Sequence, residues 1–504
     1  MDLKVFKDTI SSISSLCKSK VELPIEAEIL VPDYLPQVFK IVKCFVYPVT
    51  LKKQAVAGKL LLEGYLRCVV YYQSDEDQSL CQTEQKIPFN RTMEIPACET
   101  DKIFVQVSGE LEYVNCRAIN QRRIDIRGAY GLIAEVFVQT QTEVITALAD
   151  CGIEQKTQPM IGTKCVVNLD KLITAEEEIV LPQAPQAVLD ISGTGQIEEV
   201  KIVSGKAVIK GKIQAHISYR TNPGCELESA EKSIPFNQII DIDDTLDEIE
   251  CAACAELIGC TMSSSGQEGS SVLTATIMLY IRAFTKMECL VVQDAFSTKY
   301  TTQISRKSNQ CERLTEKLNK SVQADSFVTL PDENAVVLGG FCTLNRVEPE
   351  TTGEGVVLSG RGTVHVLCKN SLGEIECYDK AFEYCLPQAY PGSAEEYRLE
   401  CWQQASGLEL QKADQEVKAK ITICINGVLM KRHTVDTVDE VNCEELLCSD
   451  EPEVALRIYY ANADENVFDI AKAYHVSPQM MMQLNHLEGF ELNSAQQLLI
   501  PIMA

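Results

Sequence analysis

The chain of 504 residues carries 22 cysteines and 5 histidines, residue types that ligate metals, exchange disulfides and attack carbonyls. Spacing decides whether they do. Cys251-Ala252-Ala253-Cys254, followed by Cys260, is a CxxC-type cluster. A structural zinc needs about four ligands, normally two such pairs, and no partner pair accompanies this one. A redox CxxC belongs in a βαβ setting, which the surrounding pattern lacks. The histidines are dispersed: His216 and His365 fall at outward strand positions and read as surface residues, and His475 and His486 read as structural. The acidic runs Asp241-Ile242-Asp243-Asp244 and Asp247-Glu248-Ile249-Glu250 lack the Asp-x-Asp-x-Asp-Gly loop and closing glutamate of a calcium site. They read as a solvated acidic face. Gly193-Thr194-Gly195-Gln196 reads as a turn rather than a phosphate cradle. No G-x-x-x-x-G-K-[ST], H-E-x-x-H or G-x-S-x-G occurs. The expectation is a non-enzymatic protein with no catalytic residue, metal or cofactor.

The elements that position these residues repeat. Ile87-Pro88-Phe89-Asn90 recurs as Ile234-Pro235-Phe236-Asn237. Upstream, Leu62, Gly64, Leu66, Cys68, Val70 and Tyr72 alternate along one strand, as do Ile209, Gly211, Ile213, Ala215, Ile217 and Tyr219 along another. Period-2 alternation marks a half-buried strand. A diverged third copy runs Leu358, Gly360, Gly362, Val364, Val366, Cys368, with Phe382-Glu383-Tyr384 downstream. Cys68 and Cys368 sit at inward positions, where cysteine acts as a small hydrophobe. Val31-Pro32, Leu181-Pro182 and Leu330-Pro331 keep the same period. Each copy closes on an alternating strand, led by Ile124, Leu273 and Val417. Ser74 to Asp77, Asn222-Pro223-Gly224 and Asn370 to Gly373 are candidate hairpin turns.

A repeat this long is a domain rather than a solenoid unit. The pattern predicts a mainly β protein with three tandem antiparallel β-sandwich-like domains at 21–168, 169–318 and 319–445. Before them, Leu3, Phe6, Ile10, Ile13 and Cys17 follow helical spacing, predicting a helix over 1–20 docked on the first domain. The single Trp402 is expected in or near the core of the third domain.

After an acidic segment that begins at Cys443-Glu444-Glu445 and ends at Glu451-Pro452-Glu453, the pattern changes. Ile458-Tyr459-Tyr460 reads as a strand, and Val467, Ile470, Ala471 and Tyr474 share one helix face. Ser477-Pro478 starts a second helix, and Leu498 to Pro501 closes as a strand. This βααβ segment, 456–502, resembles a LysM module through Ile458-Tyr459, Phe468 to Ala471, Tyr474 to Pro478, Leu484-Asn485 and Gln497 to Pro501. The resemblance implies ligand contact through the loop before the first helix and the loop after the second. Asp464, Glu465, Asn466, Leu487, Glu488, Gly489 and Phe490 are therefore the candidate partner- or glycan-binding residues. The Gly-Asp-Thr usual in the first loop is replaced by Asp464-Glu465-Asn466. Two carboxylates there would need desolvation against a neutral sugar, which favours a protein ligand over a glycan.

Tandem β-domains of this kind before one terminal LysM resemble the SPOCS–LysM architecture of SipL-type spore-coat morphogenetic proteins of endospore-forming bacteria. The resemblance implies a scaffold in the mother-cell cytoplasm, recruited to the forespore surface. Its LysM would dock on the coat basement-layer ATPase, and its β-domains would hold other spore-coat proteins. The alternative is a peptidoglycan-binding LysM protein of the cortex, with weak N-acetylglucosamine polymer binding. Composition fits the first reading. With 46 basic against 72 acidic residues the net charge is −26, which excludes an electropositive nucleic-acid footprint and disfavours anionic membrane surfaces. The apolar stretches of a signal peptide or transmembrane helix are missing, so reduced thiols in a cytoplasmic setting are expected. Oxidative cross-linking during coat maturation remains a use for the cysteines.

Overall fold

The computed structural model describes residues 3–56, 58–98, 102–183, 185, 187–221, 228–242, 248–264, 270–447 and 456–501. It is mainly β, and the strand order repeats three times. Unit 1 comprises β1 (Lys4–Leu30), β2 (Val38–Val56), β3 (Lys59–Ser74), β4 (Leu80–Glu94), β5 (Ile103–Asn120) and β6 (Arg123–Ala149). Unit 2 comprises β7 (Ile153–Val180), β8 (Ala187–Val203), β9 (Lys206–Arg220), β10 (Glu228–Asp241), β11 (Ile249–Ser264) and β12 (Ser270–Ser297). Unit 3 comprises β13 (Tyr300–Thr329), β14 (Val336–Leu344), β15 (Glu348–Thr352), β16 (Gly355–Lys369), β17 (Ile375–Cys385), β18 (Tyr397–Ala413) and β19 (Glu416–Leu446). Each is a sandwich of two antiparallel sheets, β1-β6-β5 over β2-β3-β4 and its equivalents. In unit 3 the second sheet's edge is broken into β14 and β15, both paired with β16.

The alternating residues fill the sandwich interiors. Leu62, Leu66, Cys68, Val70 and Tyr72 are buried, as are Ile209 to Tyr219 at every second position and Val364, Val366 and Cys368. The glycine in each pattern has a specific cause. Gly64 pairs with Phe89, Gly211 with Phe236, and Gly360 with Tyr384. The aromatic ring lies across the glycine: a Cβ on Gly211 would stand 2.6 Å from Phe236 Cζ, and one on Gly360 2.5 Å from Tyr384 Cζ. The Ile-Pro-Phe motif and the strand glycine are thus two halves of one cross-strand contact.

The first and last strands of each unit run on beyond the sandwich as a two-stranded ribbon. A β-bulge marks the exit in each: between Ser15 and Cys17, opposite Ala283 and Phe284 in β7, and between Leu314 and Glu316. A bulge bends its strand and adds twist, and here it turns the three ribbons towards one axis. Ile10 and Val144, Met160 and Val291, and Cys311 with partly buried Val435 form a core to which each ribbon contributes. A second cluster, Ile145, Leu148, Val292, Ala295 and Val438, follows further along.

The junction between sandwiches and ribbons is charged. Arg282 meets Glu400 at 2.6 Å and Asp170 at 3.0 Å. Arg398 holds buried Glu312 through its Nε and Nη2, at 2.8 Å for the latter, and Arg432 reaches the same carboxylate. Trp402 of unit 3 is half-buried, as one of the two expected placements had it, and stacks on Tyr280 of unit 2 at the interface.

Several expectations change. Residues 4–20 form strand, not helix, pairing Lys4 with Ala149 through Lys20 with Ile133. Ile10 and Ile13 are buried because neighbouring ribbons cover them. The Thr, Ser and Ile content of this stretch also favours strand over helix. The units accordingly start near 4, 153 and 300 rather than 21, 169 and 319. Gly193 and Gly195 lie inside β8, where a Cβ on Gly195 would meet Ala255 O at 2.0 Å, so the pair permits close sheet packing and not a turn. His216 is exposed, but His365 is 6% exposed because unit 1 covers its outward face. Cys251 and Cys254 point to opposite faces of β11: Cys251 packs on the unit 2 core and Cys254 faces away. The turns at Ser74–Asp77 and Asn370–Gly373 are present, closed by Ser74 Oγ and Asn370 Oδ1. The candidate turn Asn222-Pro223-Gly224, the acidic residues Asp243, Asp244 and Asp247, and Glu451-Pro452-Glu453 lie outside the described residues.

Candidate docking site on the C-terminal module

Strand β20 (Leu456–Ala461), helix α1 (Val467–Ala473), helix α2 (Pro478–Leu484) and strand β21 (Gln496–Pro501) form a compact module, with β20 and β21 antiparallel. Val467, Phe468, Ile470, Ala471, Val476, Met481, Leu492, Leu498 and Ile500 make its core. Asn485 fixes the closing strand. Its Nδ2 donates to Met481 O and Leu499 O, and its Oδ1 accepts from Leu499 N at 2.7 Å.

The loops before α1 and after α2 are knitted together by backbone hydrogen bonds. Val467 N donates to Phe490 O at 2.7 Å, Leu492 N to Glu465 O, and Asp464 N to Leu492 O. The sequence-nominated residues therefore meet, but they divide by role. Asn466 caps α1, its Oδ1 accepting from Phe468 N at 2.9 Å. Glu465 folds back onto Asn462 and the Tyr459 hydroxyl. Leu487 packs on the module core. Asp464, Glu488, Gly489 and Phe490 remain solvent-facing. Asp464 has φ +76°, a left-handed conformation that aspartate tolerates better than most residues and glycine best. Residues 462–466 and 486–495 hold Asp464, Glu465, Glu488 and Glu491 and no lysine or arginine, so the rim is acidic. Glu491, which bridges to Asn466, was not nominated from sequence. Nor were Ile458 and Tyr460, exposed on the outer face of β20; their i, i+2 spacing is the signal that could have found them.

The module is docked by its α1 side to the distal turn of the unit 2 and unit 3 ribbons. Phe468 meets Phe296 edge-on at 5.3 Å, Lys472 Nζ binds both Asp294 oxygens at 2.7 Å, and His475 Nδ1 lies 3.2 Å from Ser297 O. Arg306 also reaches Asp294, at 3.0 Å. The opposite side, with the two loops, is left open.

A second concavity lies between units 1 and 3. This cleft of about 810 Å³ is lined by Phe45, Tyr47, Tyr130, Arg346, Glu350 and His365, among others. Its lysines and arginines are spent on ion pairs: Lys18 and Arg346 with Glu135, Arg361 with Glu383, and Lys43 with Asp379. Among the described residues no helix is long and apolar enough to cross a membrane.

Three sandwiches threaded on a shared ribbon axis, with a small terminal module at its end, define a repeat-built β protein whose surfaces rather than one pocket are its equipment. Residues 37–119 and 185–263 match the model of the family described as SipL, SPOCS domain. The matches run from β2 into β5 and from the start of β8 through most of β11; unit 3 carries the same strand order outside them. These two regions are SPOCS domains of the SipL type, and they support a SipL-type, sporulation-related reading of the chain. A search of curated proteins and of solved structures found no match to the chain.

Proposed function

We propose that this protein is a non-enzymatic scaffold of the spore coat, acting in the mother cell at the forespore surface. Its C-terminal module, read as a LysM, docks on the basement-layer coat ATPase, and the sandwiches recruit other coat proteins. The observation that carries this is the orientation of the module. Its α1 side is consumed by Phe296 and Asp294, while the acidic loop side, with Phe490 44% exposed, faces outward. An aromatic anchor within a charged rim suits a protein partner carrying a basic patch. A neutral glycan would have to desolvate Asp464 and Glu488 without a compensating charge.

Placement in sporulating cells tests the reading. Removal of 456–504 is expected to leave folded sandwiches that no longer concentrate at the forespore; normal placement would refute the targeting role. With full-length protein, Phe490→Ala with Asp464→Lys is expected to weaken capture of the purified ATPase. Binding to polymeric N-acetylglucosamine lost in the same variant would instead support the cortex reading.

A further inference from the structure

We propose that His365, Cys377 and Asp379 form a binding site for a divalent transition-metal ion of the zinc class, at the wall of the cleft between units 1 and 3. The residues converge by register. His365 on β16 pairs directly with Asp379 on β17, and Cys377 lies two residues before Asp379 on the same face. His365 Nδ1 is 2.8 Å from Asp379 Oδ1, and Cys377 Sγ donates to that same oxygen at 3.4 Å. The three ligand atoms lie within 4.8 Å of one another. Metal–ligand bonds of roughly 2.0–2.3 Å in a tetrahedron separate ligands by roughly 3.3–3.7 Å. Side-chain shifts of up to about 1 Å would close the set.

The surroundings suit a metal as well as the ligands do. His365 Nε2 is 2.9 Å from Thr343 Oγ1, the outer contact that orients a ligating imidazole. Lys43 of unit 1 binds the other Asp379 oxygen, Oδ2, leaving Oδ1 for the ion. Phe45 meets the His365 ring edge-on at 4.9 Å and walls off that side. Of the three, His365 lines the cleft and the Asp379 side chain is 38% exposed, so solvent reaches the set through Asp379. One nitrogen, one thiolate and one carboxylate select zinc-like ions over calcium or magnesium. The protons balance. The Cys377 proton leaves to solvent as the S–metal bond forms, and the neutral imidazole binds through Nδ1 in the tautomer that keeps its proton on Nε2, donating a hydrogen bond to Thr343 Oγ1. The oxidation state does not change.

The test uses the full chain loaded with Co²⁺, whose thiolate-to-metal charge-transfer absorption reports a Cys–metal bond. With 22 cysteines, binding alone is not diagnostic, so the readout is a difference. Cys377→Ser is expected to remove one equivalent of the band, and Cys385→Ser, on the same strand but exposed, to leave it intact. Lys43→Gln removes the neighbouring cation and is expected to tighten binding. In the wild-type chain, which avoids any folding defect, Zn²⁺ is expected to slow alkylation of Cys377 by at least about tenfold without protecting Cys385. A band of wild-type size in folded Cys377→Ser, or alkylation of Cys377 at the same rate with and without Zn²⁺, would overturn the site.

Discussion

The sandwiches and the ribbons are made from the same strands, yet they bury their residues by different rules. Within the unit 2 sandwich, Leu273, Ala275, Ile277, Leu279 and Ile281 of β12 are buried at every second position. Past the bulge opposite Ala283 and Phe284, adjacent residues are buried together: Val291 with Val292, then Ala295 with Phe296. Val291 joins one inter-ribbon cluster and Val292 the next. A sandwich strand has one face on its own core, so polarity alternates along it. Where a ribbon is covered by the two others, both of its faces are buried, and alternation is interrupted there. The units therefore cooperate along the axis, and also between sandwiches, where Phe45, Val69, Tyr71 and Leu80 of unit 1 pack with Leu189 of unit 2 and Leu367 and Ile375 of unit 3.

The largest effect is expected where the two regimes meet. Arg398→Met leaves the buried Glu312 carboxylate with Arg432 as its remaining cation partner. Breaking such a pair from one side costs about 3–5 kcal/mol, read as a lowered urea midpoint. A sandwich is broken next. Phe236→Ala empties the space over Gly211 and is expected to cost about 3–4 kcal/mol, with hydrogen exchange rising in β9 and β10 and little in β16. Ile10→Ala on the axis is expected to cost about 2–3 kcal/mol, but with exchange rising in all three ribbons. If Ile10→Ala loosens unit 1 alone, the ribbons are appendages of their own sandwiches and the comparison fails.

The contrast also explains what could be read beforehand. The strand glycine, the Ile-Pro-Phe motif and the closing strands were legible because each is a local pattern with one buried face. The segment 4–20 was misread because Ile10 and Ile13 owe their burial to strands about 90 to 425 residues away. His365 was misplaced for the same reason, since its cover, Phe45 and Lys43, comes from unit 1. In the terminal module the two loops were legible from spacing. Which of their residues face solvent was not, because that depends on internal partners such as Asn462 for Glu465.

Acid should separate the regions without mutation. Burial works against the Asp170 and Glu400 carboxylates, but Arg282 overcomes it, and both pKa values fall below the ordinary range. Their stabilisation is full above the unfolded values, about 3.9 for Asp and 4.3 for Glu, and is lost as pH falls through the folded ones. Unit 2 is thus expected to part from unit 3 on acidification, visible as a change at Trp402, which stacks on Tyr280 beside Arg282. Arg282→Met should remove that acid-dependent step.

The smallest effect tests how the terminal module is held. Asp294 is the polar half of the docking contact, bound by Lys472 and Arg306, and Phe296 is the apolar half. Asp294→Asn keeps the shape and removes the charge. Lys472 and Arg306 are partly solvated, at 34% and 53% side-chain exposure, so screening limits the loss to about 1 kcal/mol. The module keeps its own core around Met481 and Leu498 and should not unfold. Exchange in Val467–Ala473 is expected to rise several-fold while β9 and β16 stay protected. If α1 does not respond, Phe296 against Phe468 alone holds the module, and Phe296→Ala should then free it with the sandwiches intact.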